Sequence, residues 1–175
     1  PTNMAPATPG RGWAAVETPT GARVLVVQVL GRIHMKPCDD PFRGVDEVLK
    51  RFPLGPRLAV VVDVHAEITA EKQALGHHLD GRATLVAGTH THCPTADARI
   101  LPGGTAFVTD LGMCGSYDSV IGMEKTGAVS RFLSDLPGPR LEPATGPAEI
   151  WGVLVETATT SGLASTLQRG HVVAA

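Results

Sequence analysis

The sequence predicts an α/β fold. Two apolar runs, Leu58–His65 and 83–87, flank a helical pattern over 69–79, and that spacing suits a βαβ crossover. His65, His90 and His92 fall just beyond the carboxyl ends of those runs, where open α/β sheets hold their sites. A chain of 175 residues, 43% hydrophobic with net charge −2, is long enough to bury a core as one globular domain.

In chain order, residues 1–12 are rich in Pro, Gly, Ala and Thr and read as loop. Trp13–Glu17 and 23–29 read as strands joined by a turn at Thr18-Pro19-Thr20-Gly21. Asp39-Asp40-Pro41 breaks a polar loop ahead of a helix over 42–52, where Val45, Val48 and Leu49 recur at i, i+3 and i+4. The strand Leu58–His65 follows. Thr69 is the expected N-cap of the next helix, with Ala74, Leu75 and Leu79 on its apolar face. Asp80-Gly81 ends it ahead of the strand at 83–87. Short strands are expected at 99–101 and 105–109, then a glycine-rich loop over 112–122 and a helix over 124–136. A Pro-rich linker over 137–147 leads to a final hairpin with arms Glu149–Thr157 and 163–173.

Composition narrows the function. No basic stripe argues for DNA, and no apolar run approaches the ~20 residues of a membrane helix. Three widely spaced cysteines without a C-x-x-C argue against a disulfide framework and for the cytoplasm. The N-terminus lacks the charged and apolar regions of a signal peptide and begins Pro1-Thr2-Asn3-Met4, so it reads as the interior of a longer protein.

Gly88-Thr89-His90-Thr91-His92 is the most informative stretch. In extended chain, imidazoles at i and i+2 share a side about 7 Å apart at a rise of about 3.3 Å per residue. Neutral imidazole is a common metal ligand, and His65 at a neighbouring strand end supplies a third. Asp63 and Glu67 flank His65, placed to orient a ligand ring or, for Glu67, to face the positive end of the following helix. His77 and His78 diverge by about 100° on a helix and read as structural or solvent-facing. His34 and His171 have no evident partner. The 112–122 loop, with Gly115, Tyr117 and Asp118, is the candidate for substrate contact, since glycine lets a phosphate approach the backbone. Cys93 and Cys114 read as small packing residues. A mononuclear three-histidine zinc site is chemically open at this point. A TIM barrel has too many βα units for this length, and a cupin would be all-β.

Val62-Asp63-Val64-His65-Ala66-Glu67, Gly88-Thr89-His90-Thr91-His92, Pro94-Thr95-Ala96-Asp97 and Ile100-Leu101-Pro102-Gly103-Gly104 resemble the YmdB-type bacterial metallophosphoesterases. Thr109-Asp110-Leu111-Gly112-Met113, Tyr117-Asp118 and Ile121-Gly122-Met123 continue the likeness in order. The resemblance implies a calcineurin-like four-layer αββα sandwich, of which this chain would be the carboxyl-terminal portion. It implies two divalent metal ions (Fe, Mn or Zn), with His65 and His90 on one and His92 on the other. It further implies hydrolysis of phosphodiesters, 2′,3′-cyclic nucleotides among them, by a hydroxide bridging the metals. The family's Gly-Asp strand end, bridging glutamate and Gly-Asn-His motif have no match here. The expectation is therefore an impaired or inactive chain, with the catalytic histidine in a preceding segment, and with exposed sheet edges that favour pairing into a homo-oligomer. The rival expectation is a non-catalytic metal-binding fragment.

Overall fold

The computed structural model describes residues 1–174. A six-stranded sheet has the order β1 (Trp13–Glu17), β2 (Arg23–Leu30), β3 (Leu58–His65), β4 (Leu85–Thr89), β6 (Ala106–Val108), β5 (Arg99–Ile100). β2, β3, β4 and β6 run parallel, while β1 and β5 are antiparallel edges. The crossovers are α1 (Pro41–Leu49) between β2 and β3, and α2 (Thr69–His78) between β3 and β4. The βαβ unit is therefore present as the sequence predicts, with a second one before it.

Strict alternation in β3 splits its residues between two cores. Leu58, Val60, Val62 and Val64 are buried with Val45, Val48 and Leu49 of α1 and Leu75 of α2. Val61 faces the other way, into a smaller core of Leu85, Ala87, Ala106 and Val108. Covering that second core is a three-stranded sheet of β7 (Cys114–Gly115), β8 (Glu149–Thr157) and β9 (Ala164–Val173), through Val153, Val155, Ala164 and Leu167. The layers are thus helix, sheet and sheet. On the far face of β8–β9, Ile150, Leu154 and Val172 are exposed, as are Phe132 and Leu133 of α3 (Lys125–Leu133).

Several boundaries move for identifiable reasons. Thr69 is not an N-cap: Ile68 holds that place with no side-chain cap bond, and Thr69 is the first helical residue. The buried face of α2 is Glu71, Lys72, Leu75 and Gly76, and Ala74 is exposed. Asp40 caps α1 by accepting from the Phe42 and Arg43 amides, with Pro41 in the first turn where its missing N–H costs nothing. That helix stops at Leu49, and α3 stops at Leu133, each three residues short of expectation. β4 starts two residues late; at Thr84 the side chain shares the pairing, its hydroxyl accepting from the Val60 amide and donating to the Gly162 carbonyl. β7 lies inside the expected glycine-rich loop and exists only through pairing with Glu149 and Ile150.

Candidate metal centre

His65 is the last residue of β3 and pairs in register with Thr89, the last of β4. Gln28, Asp63, His65 and Thr89 share the sheet face whose apolar part lies under β8–β9. Along it the Gln28 amide donates to Asp63 Oδ2 (2.8 Å) and the Thr89 hydroxyl donates to Asp63 Oδ1 (2.8 Å). The single Thr89 proton is thereby used, so its oxygen accepts at 3.0 Å from the Nδ1–H of His65. That fixes the tautomer and leaves the lone pair on His65 Nε2. Burial, followed by the neighbouring His90, pushes the His65 pKa below its ordinary value against the opposing pull of Asp63, which favours the neutral ring that metals bind.

His65 Nε2 faces His90 Nδ1 at 3.2 Å, with the rings edge to face. On the other side of His90, Glu67 Oε2 lies 2.8 Å from Nε2. A carboxylate at that distance favours a proton on Nε2 and a lone pair on Nδ1. Two ring nitrogens then converge, and the space between them suits one shared proton or one cation. Their separation matches that of two nitrogens on a tetrahedral ion, about 3.3 Å for bonds of about 2.0–2.1 Å. The two nitrogens match a divalent metal in type and spacing, and by themselves fall short of a complete site.

His92 does not join this pair. Residues 90–92 are not extended, as the i, i+2 argument requires: His90 has φ 111° and His92 φ 67°, so the two rings leave the chain in different directions. His92 Nδ1 lies 2.9 Å from the Ile121 carbonyl, to which it donates, leaving the lone pair on Nε2. Among the described residues no group of three or more His, Cys, Asp or Glu is arranged to hold a metal, so the mononuclear three-histidine geometry is not formed. Positive φ in a non-glycine residue costs about 1–3 kcal/mol and persists only where surroundings over-determine it.

Those surroundings contain residues that sequence reasoning missed. Asp110, after β6, accepts the Thr91 amide on Oδ2 and the Gly112 amide on Oδ1, each at 2.9 Å. Lys72 of α2 reaches the same Oδ2 at 2.9 Å, and both side chains are essentially inaccessible to solvent. Burial alone would raise the Asp110 pKa; Lys72 and the two amides outweigh it and hold the carboxyl below its usual range. Gly88 is required because a Cβ there would collide with the Thr109 carbonyl oxygen.

In the neighbouring loop the Tyr117 hydroxyl accepts from the Met113 amide and touches the Met113 and His92 carbonyls. Its ring packs near Trp151. Asp118 is exposed and salt-bridged to Lys125, and Gly115 belongs to β7. His78 bridges to Asp46 beside Arg82 and meets Phe42 edge-on, so it is structural, while His77 is exposed. His34 is exposed in its loop. His171 does have partners: it stacks on Trp151 at 3.9 Å and contacts Glu149. Cys93 and Cys114 are exposed free thiols, not packing residues as expected. A cavity of about 940 Å³ is lined by the N-terminal segment with Arg32 and Arg43 and includes none of these histidines.

The family model for YmdB-like proteins matches residues 1–169. The chain belongs to the YmdB-like family. Over 160 residues it is 43% identical to a 2′,3′-cyclic-nucleotide 2′-phosphodiesterase of Bacillus subtilis, covering 89% of this chain and 58% of that protein. A crystal structure of a hypothetical protein from Thermus thermophilus superposes with TM-score 0.89 at 42% identity, over 100% of this chain and 67% of that one. A novel phosphatase of Mycoplasma pneumoniae gives TM-score 0.84 at 30% identity, over 99% and 62%. This YmdB-like chain therefore spans less than two thirds of its curated Bacillus relative. No helix among its described residues is long and apolar enough to cross a membrane.

Proposed function

We propose that this chain carries part of the dinuclear metal centre of a phosphodiesterase acting on small phosphodiesters of the 2′,3′-cyclic-nucleotide class. The observation that carries the reading is the convergence of His65 Nε2 and His90 Nδ1 at 3.2 Å, each ring backed by a carboxylate, directly or through Thr89. His65 and His90 would hold one divalent ion (Fe, Mn or Zn) and His92 would serve a second. When bound, such ions supply Lewis acidity and a water ionisable near neutral pH. The chain's own groups do the positioning. Asp63 and Thr89 keep the His65 proton on Nδ1, Glu67 keeps that of His90 on Nε2, and the Tyr117 hydroxyl ties the His92 carbonyl to the loop that follows. Gly115 and Asp118 flank that loop and remain the candidates for substrate contact, with Tyr117 behind them.

The remaining ligands and the catalytic acid are proposed to come from polypeptide outside these residues. The uncovered outer face of β8–β9 would then be the inner layer of an αββα sandwich completed by further helices. Three free cysteines, two of them exposed, suit a reducing cytoplasm. The test is hydrolysis of 2′,3′-cyclic AMP with added Mn²⁺ by this chain and by a version extended at its N-terminus. The extended protein should turn over far faster and lose activity on His90→Ala. Equal turnover by both would refute the assignment of missing ligands, and an active His90→Ala variant would refute the metal reading.

A further inference from the structure

We propose that the buried Lys72–Asp110 pair positions the metal-binding histidines by fixing the backbone between them; this rests on the metal reading above. Both side chains are inaccessible, and Lys72 is among the largest fully buried side chains of the described residues. Neither hydrogen-bonds an imidazole, and their opposite charges act on His65 in opposite directions. What Asp110 does touch is backbone: its Oδ2 takes the amide of Thr91, the residue between His90 and His92, and its Oδ1 takes the amide of Gly112. The Asp110 backbone is itself clamped, its amide donating to Thr95 Oγ1 and its carbonyl accepting from the Thr95 amide. The carboxylate therefore links α2, the His90–His92 segment and the loop after β6 at one point.

The backbone conformation there needs such a link. His90 and His92 both adopt positive φ, and this reversal on either side of Thr91 sends one ring back to His65 and the other toward Ile121. The Leu111 amide to the Gly88 carbonyl and the Met113 amide to the His92 carbonyl secure the two ends of the segment. Thr91 in the middle is secured by Asp110. Lys72 keeps that carboxylate ionised and aimed, with its stem passing beside the bare Cα of Gly88. An apolar pair of similar volume is often as stable as a buried ion pair, or more so. The charge pair as such is therefore replaceable, whereas the acceptor for the Thr91 and Gly112 amides is not.

The test compares three forms of the full chain: wild type, Lys72→Met/Asp110→Leu, and Lys72→Met/Asp110→Asn. The leucine form removes the acceptor, and the asparagine form retains a carbonyl oxygen for Thr91. Each is measured by thermal melting, by imidazole ¹⁵N shifts without metal, and by Co²⁺ titration followed in the visible spectrum. The leucine form should melt below wild type, because the Thr91 and Gly112 amides lose their acceptor, lose the paired His65–His90 shifts, and bind Co²⁺ about 10–100-fold more weakly. The asparagine form should recover much of both signals. If the leucine form keeps wild-type shifts and Co²⁺ affinity, the positioning role is overturned. If wild type binds no Co²⁺ but the shifts still change in the leucine form and return in the asparagine form, the metal reading falls while the positioning of the histidines stands.

Discussion

Replacing Thr89 with valine removes one oxygen and leaves the shape of β4 nearly intact, so it isolates the hydroxyl that joins Asp63 to His65. In the native chain that hydroxyl makes two bonds, donating to Asp63 at 2.8 Å and accepting from His65 Nδ1 at 3.0 Å. A hydrogen bond to a charged group is worth about 1.5–3 kcal/mol, and a stranded donor costs about 1–3 kcal/mol. Both groups are only partly buried and Asp63 keeps its bond from Gln28, so water recovers a share. The net loss in stability should be about 1–2 kcal/mol. If the proposed metal site holds, the larger effect falls on metal affinity. Without the acceptor at Nδ1, the His65 proton is free to move to Nε2, the nitrogen needed for ligation. Loss of such a partner lowers metal affinity about 10–100-fold, which is about 1.4–2.8 kcal/mol. Calorimetric titration with Zn²⁺ or Mn²⁺ measures the affinity, and long-range ¹H–¹⁵N correlation of His65 reports the tautomer. Thr89→Ser should restore both. A valine variant with native affinity and the Nδ1–H tautomer intact would show that the Thr89–Asp63 relay does not set the ligating nitrogen.

Two further perturbations test the supports of the site. Gly88→Ala drives a methyl into the Thr109 carbonyl and toward Lys72, which should cost at least about 4 kcal/mol in chemical denaturation; an alanine variant as stable as wild type would mean that β4 and the 109–111 segment separate easily. For Asp97, burial raises the pKa but is outweighed by hydrogen bonds from the Thr109 and Thr95 hydroxyls and the Thr109 amide, so the folded value lies below the unfolded one. Its contribution is therefore complete above the unfolded carboxylate pKa of about 3.9 and is lost as pH falls through the lower folded value. Melting curves should show Asp97→Asn less stable than wild type at pH 7, with the gap closing on acidification below about pH 4; a gap independent of pH would remove the carboxylate from the explanation.

The parts of the fold that follow from local pattern were legible in the sequence. β1, β3 and β8 begin and end where the sequence predicts because alternation and turn residues mark both ends. The juxtaposition of His65 with His90 followed from the βαβ unit alone. Other features depend on residues distant in the chain. Lys72 and Glu71 disguise the inward face of α2, since a helix that buries charged residues has no clean apolar stripe. The left-handed turns at His90 and His92 bracket an amide bonded to Asp110, nineteen residues on, a partner that no local pattern announces. β7 is a pair of residues made into strand by β8, which no glycine-rich stretch announces on its own.

The Lys72–Asp110 pair also constrains how this sequence can change over generations. Removing either partner alone leaves a buried, uncompensated charge, at a cost of about 3–5 kcal/mol. Folded domains hold only about 5–15 kcal/mol in all. Each single step away from the pair therefore crosses a marginal intermediate. The two positions lie 38 residues apart, one on α2 and one beyond β6, yet a change at one strands the charge of the other.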